Sequence, residues 1–288
     1  NMFLSCNKLE DLDVSSFNTK QVTNMNNMFS KCVSLTSLKF NFNTEKVRDM
    51  KRMFYHCSAL TSLDLSSLDT NNVINMDEMF RESQSLSHID LSSLKTKNLN
   101  SFLSMFRGCK SVTSLDISGF DTSEITDFSY LFYQCSSLKS LNVNNINTGK
   151  VTNMTSTFAK CSSLTSIDLS GLRTDSLNHV SGLFQDCSSL NSVNLKNFNT
   201  GNVKNFNYMF KGCKDLTSLN LSDLETTEVT QFIETFSGCS SLKSLNLEKF
   251  NTNNCYTFTN VFSACSEDLK VIIVKSDNMM FVDSAPSR

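Results

Sequence analysis

The sequence predicts a single α/β solenoid, with a parallel sheet along one face and short helices along the other. Three observations carry this. Phe recurs in register at Phe3, Phe29, Phe54, Phe80, Phe106, Phe132, Phe158, Phe184, Phe210, Phe236 and Phe262, with nine intervals of 26 residues and one of 25. A Cys follows three residues behind each, at Cys6, Cys32, Cys57, Cys109, Cys135, Cys161, Cys187, Cys213, Cys239 and Cys265, with Ser83 filling the one gap. Each repeat then changes periodicity, from strand-like alternation to the i, i+3, i+7 spacing of a helical face. A repeat this short cannot bury its apolar side alone, whereas stacked repeats shield one another.

Within one repeat, Leu60-Thr-Ser-Leu63-Asp-Leu65 ends in alternating polar and apolar residues, a short half-buried strand. Ser66-Ser67-Leu68-Asp69-Thr70 follows as a turn of small polar residues. Val73, Met76, Met79 and Phe80 then mark one helical face, and Val151, Met154 and Phe158 repeat it. Thr19, Thr44, Thr70, Thr96, Thr122, Thr148, Thr174, Thr200, Thr226 and Thr252 precede these segments, where a hydroxyl can cap the first helical turn. Gly108, Gly212 and Gly238 stand two residues past the Phe, where a helix end favours glycine. The predicted organisation is one solenoid over residues 1–274, about ten repeats with the N-terminal one incomplete, and a C-terminal tail at 275–288. The first repeat starts at its Phe, so the native polypeptide is expected to continue N-terminally or to carry a cap. Val271–Val274 reads as a terminal strand, and the chain from about Asp277 as loosely held.

The line Phe54-Tyr-His-Cys57-Ser-Ala-Leu60-Thr-Ser-Leu63-Asp-Leu65-Ser-Ser-Leu68-Asp-Thr70-Asn-Asn-Val73-Ile-Asn-Met76 resembles the BspA-like leucine-rich repeats of bacterial and protist surface proteins. It returns at Phe132–Leu141 and Phe158–Leu172, and the resemblance runs from residue 1 to about 274. It implies a leucine-rich-repeat-like solenoid and, by analogy, adhesion at the cell surface or outside the cell. Ser83, the shortened turn Phe40–Thr44 and Cys255 depart from the pattern without breaking it.

Composition narrows the function. With 26 Lys+Arg against 28 Asp+Glu the net charge is -2, which lacks the basic excess of a nucleic-acid binder. No apolar run approaches the roughly 20 residues of a membrane span, and no basic stretch followed by an apolar one opens the chain. No C-x-x-C, H-E-x-x-H, G-x-S-x-G or P-loop motif occurs. His56, His88 and His179 fall in unrelated columns of the repeat. The chain is therefore read as no enzyme, with no catalytic residue, metal site or cofactor. One Cys per repeat suits neither the close ligand pairs of zinc nor disulfide geometry, and predicts buried free thiols.

Candidate binding residues lie on the exposed strand face. Its central column includes Asp64, Asp90, Asp116, Asn142, Asp168, Asn194 and Asn220; the neighbouring column is nearly all Ser, with His88 interrupting it. Calcium needs six to eight oxygens, more than a row of single carboxylates supplies. A polar ladder without Tyr or Trp is a poor protein hot spot, so repetitive polar partners such as glycans suit it better than a compact protein. On the helix side, Lys46, Arg48, Lys51 and Arg52 mix with Glu45 and Asp49 and read as a solvated face. The reading is a non-enzymatic cell-surface or extracellular protein that binds a protein or glycan ligand. The alternatives are a structural protein that self-associates end to end into a filament or coat, and an intracellular scaffold in the cytoplasm.

Overall fold

The computed structural model describes residues 1–273. The predicted tail at 275–288, and Val274 of the last predicted strand, lie outside the described residues. The chain divides into two compact units, residues 1–147 and residues from 148 onward. Each is a stack of rungs, one rung per sequence repeat.

On the strand face of the first unit, β1 (Asp11–Asp13) pairs in parallel with β2 (Ser37–Lys39), and β3 (Ser114–Asp116) with β4 (Ser140–Asn142). The register sets like on like, Leu12 against Leu38 and Leu115 against Leu141. The intervening segments at 62–64 and 88–90 keep the alternation, with Leu63 and Ile89 buried and Asp64, His88 and Asp90 exposed. In the second unit β5 (Ser166–Asp168) pairs with β6 (Ser192–Asn194). There β7 (Ser218–Asn220), β9 (Ser244–Leu247) and β11 (Lys270–Ile273) form one parallel sheet. Each unit therefore carries the predicted parallel pairing, with like residues in register.

The predicted helices are not. Among the described residues the second face contains no helix; it is built from successive tight turns whose rungs are joined by parallel bridges, as at Asp49–Asn75 and Asn75–Ser101. Further along it, β8 (Gln231–Ile233) and β10 (Thr257–Thr259) extend such bridges into a short parallel pair. The backbone donors of one rung show how this works. The N–H groups of Met76, Glu78, Phe80 and Glu82 donate to Ser101, Leu103, Met105 and Arg107 of the next rung, at 2.7–3.0 Å. Those of Met79, Arg81 and Ser83 donate three residues back within the rung, and that of Asp77 donates to Asn75 Oδ1. Every donor from 76 to 83 thus has a partner, as a buried backbone requires. Glu78 and Glu82 take positive φ, 56° and 61°, at the third position of their turns, the geometry of type II.

Spacing explains why turns displace helices here. Rungs joined by strands lie about 4.8 Å apart, whereas helices pack no closer than about 8–10 Å. In the first unit the Phe rings between the two faces stack at 5.5–5.8 Å from Phe3 through Phe132. In the second unit they stack at 5.4–5.9 Å from Phe158 through Phe262. One helix per rung does not fit that interval. A stack of turns with bonds every third residue also places Val73, Met76, Met79 and Phe80 inward, which reproduces the helical pattern; all four are fully buried.

Two further expectations change with it. The Thr column caps no helix: Thr44 Oγ1 donates to the Asp69 carbonyl at 2.8 Å and Thr200 Oγ1 to that of Glu225 at 2.6 Å, each one rung on. Gly108, Gly212 and Gly238 end no helix either. They occupy a left-handed turn position that Lys31, His56, Glu82, Gln134, Lys160 and Asp186 also occupy with positive φ.

The cysteines are free, as the spacing predicts. Thiols down the column donate to the carbonyl of the Phe one rung back, as from Cys57 to Phe29 at 3.1 Å and from Cys187 to Phe158 at 3.0 Å. Ser83 makes the same contact with Phe54 at 2.6 Å, so the gap in the sequence is not a gap in the ladder. Burial pushes the Cys57 thiol up to about 12 and Cys265 up to about 11. With native protein at neutral pH, a thiol reagent is therefore expected to modify the partly exposed Cys6, Cys255 and Cys265 before the eight buried thiols, and all eleven after denaturation. Fast modification of the eight buried thiols in the native state would contradict the packing.

Candidate binding surface

The strand face presents its polar columns because alternation leaves one side chain in two outward. Asp64, His88, Asp90, Asp116, Asp168, Asn194 and Asn220 are exposed, and Asn142 is half-buried. The Asp and Asn side chains have a structural task at the strand's end. Each accepts the backbone N–H two residues on, turning the chain at the corner: Asp64 from Ser66, Asp90 from Ser92, Asp116 from Ser118, Asp168 from Ser170, and Asn220 from Ser222, at 2.8–3.0 Å. Asn142 and Asn194 do the same at 3.1 and 3.2 Å.

The device recurs at the other corners. Asp69 and Asp121 hold the turn before the second face, and Asn24, Asp49, Asn75 and Asn153 hold the turn upon it. Asn and Asp therefore turn this chain where Gly and Pro commonly would, which accounts for a sequence of 288 residues holding 8 Gly and 1 Pro.

The corner bonds also fix charge and orientation. Hydrogen bonds from Ser66 hold the Asp64 carboxyl below the usual carboxylate range, and those from Ser118 and Ser170 do so for Asp116 and Asp168. The Ser92 backbone N–H does the same for Asp90. These carboxylates stay ionised at neutral pH with one oxygen tied down at the corner.

Four predicted residues are brought together. His88, Asp90, Asp116 and Asn142 line one open hollow of about 1090 Å³ in the first unit, with Lys95 and Lys97 at its border and Leu91, Leu115 and Phe120 beneath. Asn142 Nδ2 donates to Asp116 Oδ2 across the rungs at 3.1 Å. In the second unit Asn194 and Asn220 share a smaller hollow of about 240 Å³ with Lys196 and Asp223. Asp64 and Asp168 lie outside both hollows. Paired oxygen acceptors, hydroxyls and cations over an apolar floor can hydrogen-bond a hydroxylated or amide-bearing partner in fixed register.

The sequence reading passed over a second group, on the turn face. Arg52 and Arg81 share Glu78 at 2.7 and 2.6 Å, and both lie over the Tyr55 ring at 5.6 Å. Arg107 lies over Tyr130 and Tyr133 at 5.3 and 5.0 Å. The signal was available by reading down the repeat column, where Tyr55, Arg81, Arg107 and Tyr133 occupy successive rungs.

A family model described as "Mycoplasma protein of unknown function, DUF285" matches residues 1–115, 100–218 and 191–280, overlapping stretches of the kind a repeated motif produces. Comparison with curated proteins gives no match. Among solved structures, the chain is similar to a leucine rich cell surface protein from Faecalibacterium prausnitzii, at 17% identity and a TM-score of 0.41, covering 97% of this chain and 86% of that one. It is also similar to a leucine-rich repeat protein from Bacteroides ovatus, at 19% identity and a TM-score of 0.39, covering 95% and 86%. The superpositions are loose, and the fold assignment rests on the rung geometry itself.

Proposed function

The chain belongs to the family described as Mycoplasma protein of unknown function, DUF285, and from that premise we propose that it is a non-enzymatic repeat protein that binds another macromolecule in adhesion, at the cell surface or outside the cell. The observation that carries the proposal is the strand face, where ionised carboxylates, amides and hydroxyls are held in fixed orientation from rung to rung. Recognition by such a surface is spread over several rungs, which suits an extended glycan or protein ligand. The hollow at His88, Asp90, Asp116 and Asn142 is the proposed centre.

Glycan and matrix-protein arrays probed with the intact chain test this. A ligand found there is expected to lose at least tenfold in affinity to S114R combined with S140R, which blocks the hollow while leaving the inward Leu residues alone. Silence on both arrays, or a ligand indifferent to the double substitution, sinks the proposal. A second reading, an interaction scaffold inside the cell, is favoured by the eleven free thiols, which a reducing compartment preserves.

A further inference from the structure

We propose that the turn face of the first unit carries a second site, centred on Arg107, that binds an acidic polypeptide segment. The repeat itself separates structural need from exception. The column of Tyr55, Arg81, Arg107 and Tyr133 continues in the second unit as Ala159, Gln185, Lys211, Ser237 and Ser263. A position that tolerates Ala and Ser has no packing demand for Arg or Tyr. Yet all five tyrosines of the chain, Tyr55, Tyr130, Tyr133, Tyr208 and Tyr256, fall in turn-face registers, and so do Arg48, Arg52, Arg81 and Arg107. Tyr and Arg are the residues enriched where binding energy concentrates.

The geometry picks out Arg107. Arg52 and Arg81 are neutralised by Glu78. Arg107 has no ion pair among the described residues, which sets it apart from both; its Nε, like that of Arg81, is buried without a hydrogen-bond partner. The neighbouring carboxylate, Glu82, packs against the backbone at Gly108, where an added Cβ would meet it at 2.7 Å, and it accepts from Gln84 Nε2 at 3.4 Å. The guanidinium is instead held by two tyrosine rings set edge to face, with centroids 5.6 Å apart and planes at 69°. A planar guanidinium fixed by aromatic rings, with no ion pair among the described residues, is prepared to take a bidentate carboxylate on its terminal amino groups. Signs alternate around it, from Arg52 and Glu78 through Arg81 and Glu82 to Arg107. A uniform polyanion such as a sulfated glycan meets repulsion there, whereas a peptide can place one Asp or Glu on Arg107 and lay apolar or neutral side chains on the tyrosines.

The test is selection from a random dodecapeptide phage library on the intact chain, with counter-selection on R107Q, alongside heparin binding. Recovered peptides are expected to be enriched in Asp or Glu and to bind at least tenfold more weakly to R107Q. They should also weaken on R107K, which keeps the charge without the fork, and on Tyr133→Ala, with circular dichroism and denaturation midpoints unchanged for R107K. Peptides without acidic enrichment, or peptides that bind R107Q equally well, overturn the proposal. Heparin binding that requires Arg107 where no peptide does would overturn it in favour of a sulfated glycan. None of these outcomes depends on the strand-face proposal.

Discussion

Phe80→Ala is expected to destabilise the first unit by about 3–5 kcal/mol, the range for truncating a fully buried aromatic side chain. Phe80 is inaccessible to solvent and lies between two parallel rings, Phe54 and Phe106, each 5.8 Å away. Truncation removes both stacking contacts, each worth about 0.5–1.5 kcal/mol beyond burial, and leaves a void that neighbouring rungs cannot fill. Their approach is fixed by hydrogen bonds on both sides of that ring, as from Phe80 N–H to Met105 and from Phe54 N–H to Met79. Guanidinium denaturation followed by circular dichroism measures the loss. Because each rung stabilises mainly its neighbours, the transition is expected to broaden or split as the first unit melts early. Ile74→Ala is the control from the same rung: Ile74 is 38% exposed, and its truncation should stay within about 0.5 kcal/mol. A cost below about 1.5 kcal/mol for Phe80→Ala would mean that the rungs close over the gap and that the ring column is not the spine described here.

The column logic also explains which features could be read from the amino acids alone. The strand face was legible because alternation there has one meaning: Ser114 and Asp116 outward with Leu115 inward is a strand in any context. The Phe and Cys columns were legible because each Phe ring stacks on its own copy in the next rung and the Cys thiols donate to Phe carbonyls one rung back. The second face was misread because its signal is degenerate. Turns bonded at i to i+3 bury Val73, Met76, Met79 and Phe80 as one side of a helix would, and the discriminating fact is a distance between rungs, not a residue type. A chemical hint existed nonetheless. Asn75 before Met76 and Asp77, like Asp49 before Met50 and Lys51, puts a side chain that favours Asx turns where a helix former would be expected. The Arg and Tyr group was passed over for a related reason. Lys46, Arg48, Lys51 and Arg52 look like one solvated segment when read along the chain. The carboxylate that engages Arg52, Glu78, lies 26 residues away in sequence and one rung away in space.

Thr70→Val is the second large expected effect, about 2 kcal/mol, and it separates the turn-stack from the helical reading of this face. Thr70 is fully buried, and its hydroxyl donates to the Lys95 carbonyl at 2.9 Å while accepting the Lys95 N–H at 2.6 Å. Valine keeps the shape and removes both bonds, leaving two backbone groups of the next rung without partners. Thr70→Ser keeps the hydroxyl and loses only a methyl group, about 0.8 kcal/mol. The decisive comparison is Thr70→Asp. At a helix N-cap, Asp serves as well as Thr, so T70D would be nearly neutral there. In the rung ladder a carboxylate has no proton to donate to Lys95 O and is buried against that carbonyl, so T70D is expected to be worse than T70V. Denaturation midpoints at pH 7 order the three variants. The order Ser, then Val, then Asp, from most to least stable, is the signature of a hydroxyl that joins one rung to the next. A T70D as stable as the parent would restore the capping role and, with it, the helix.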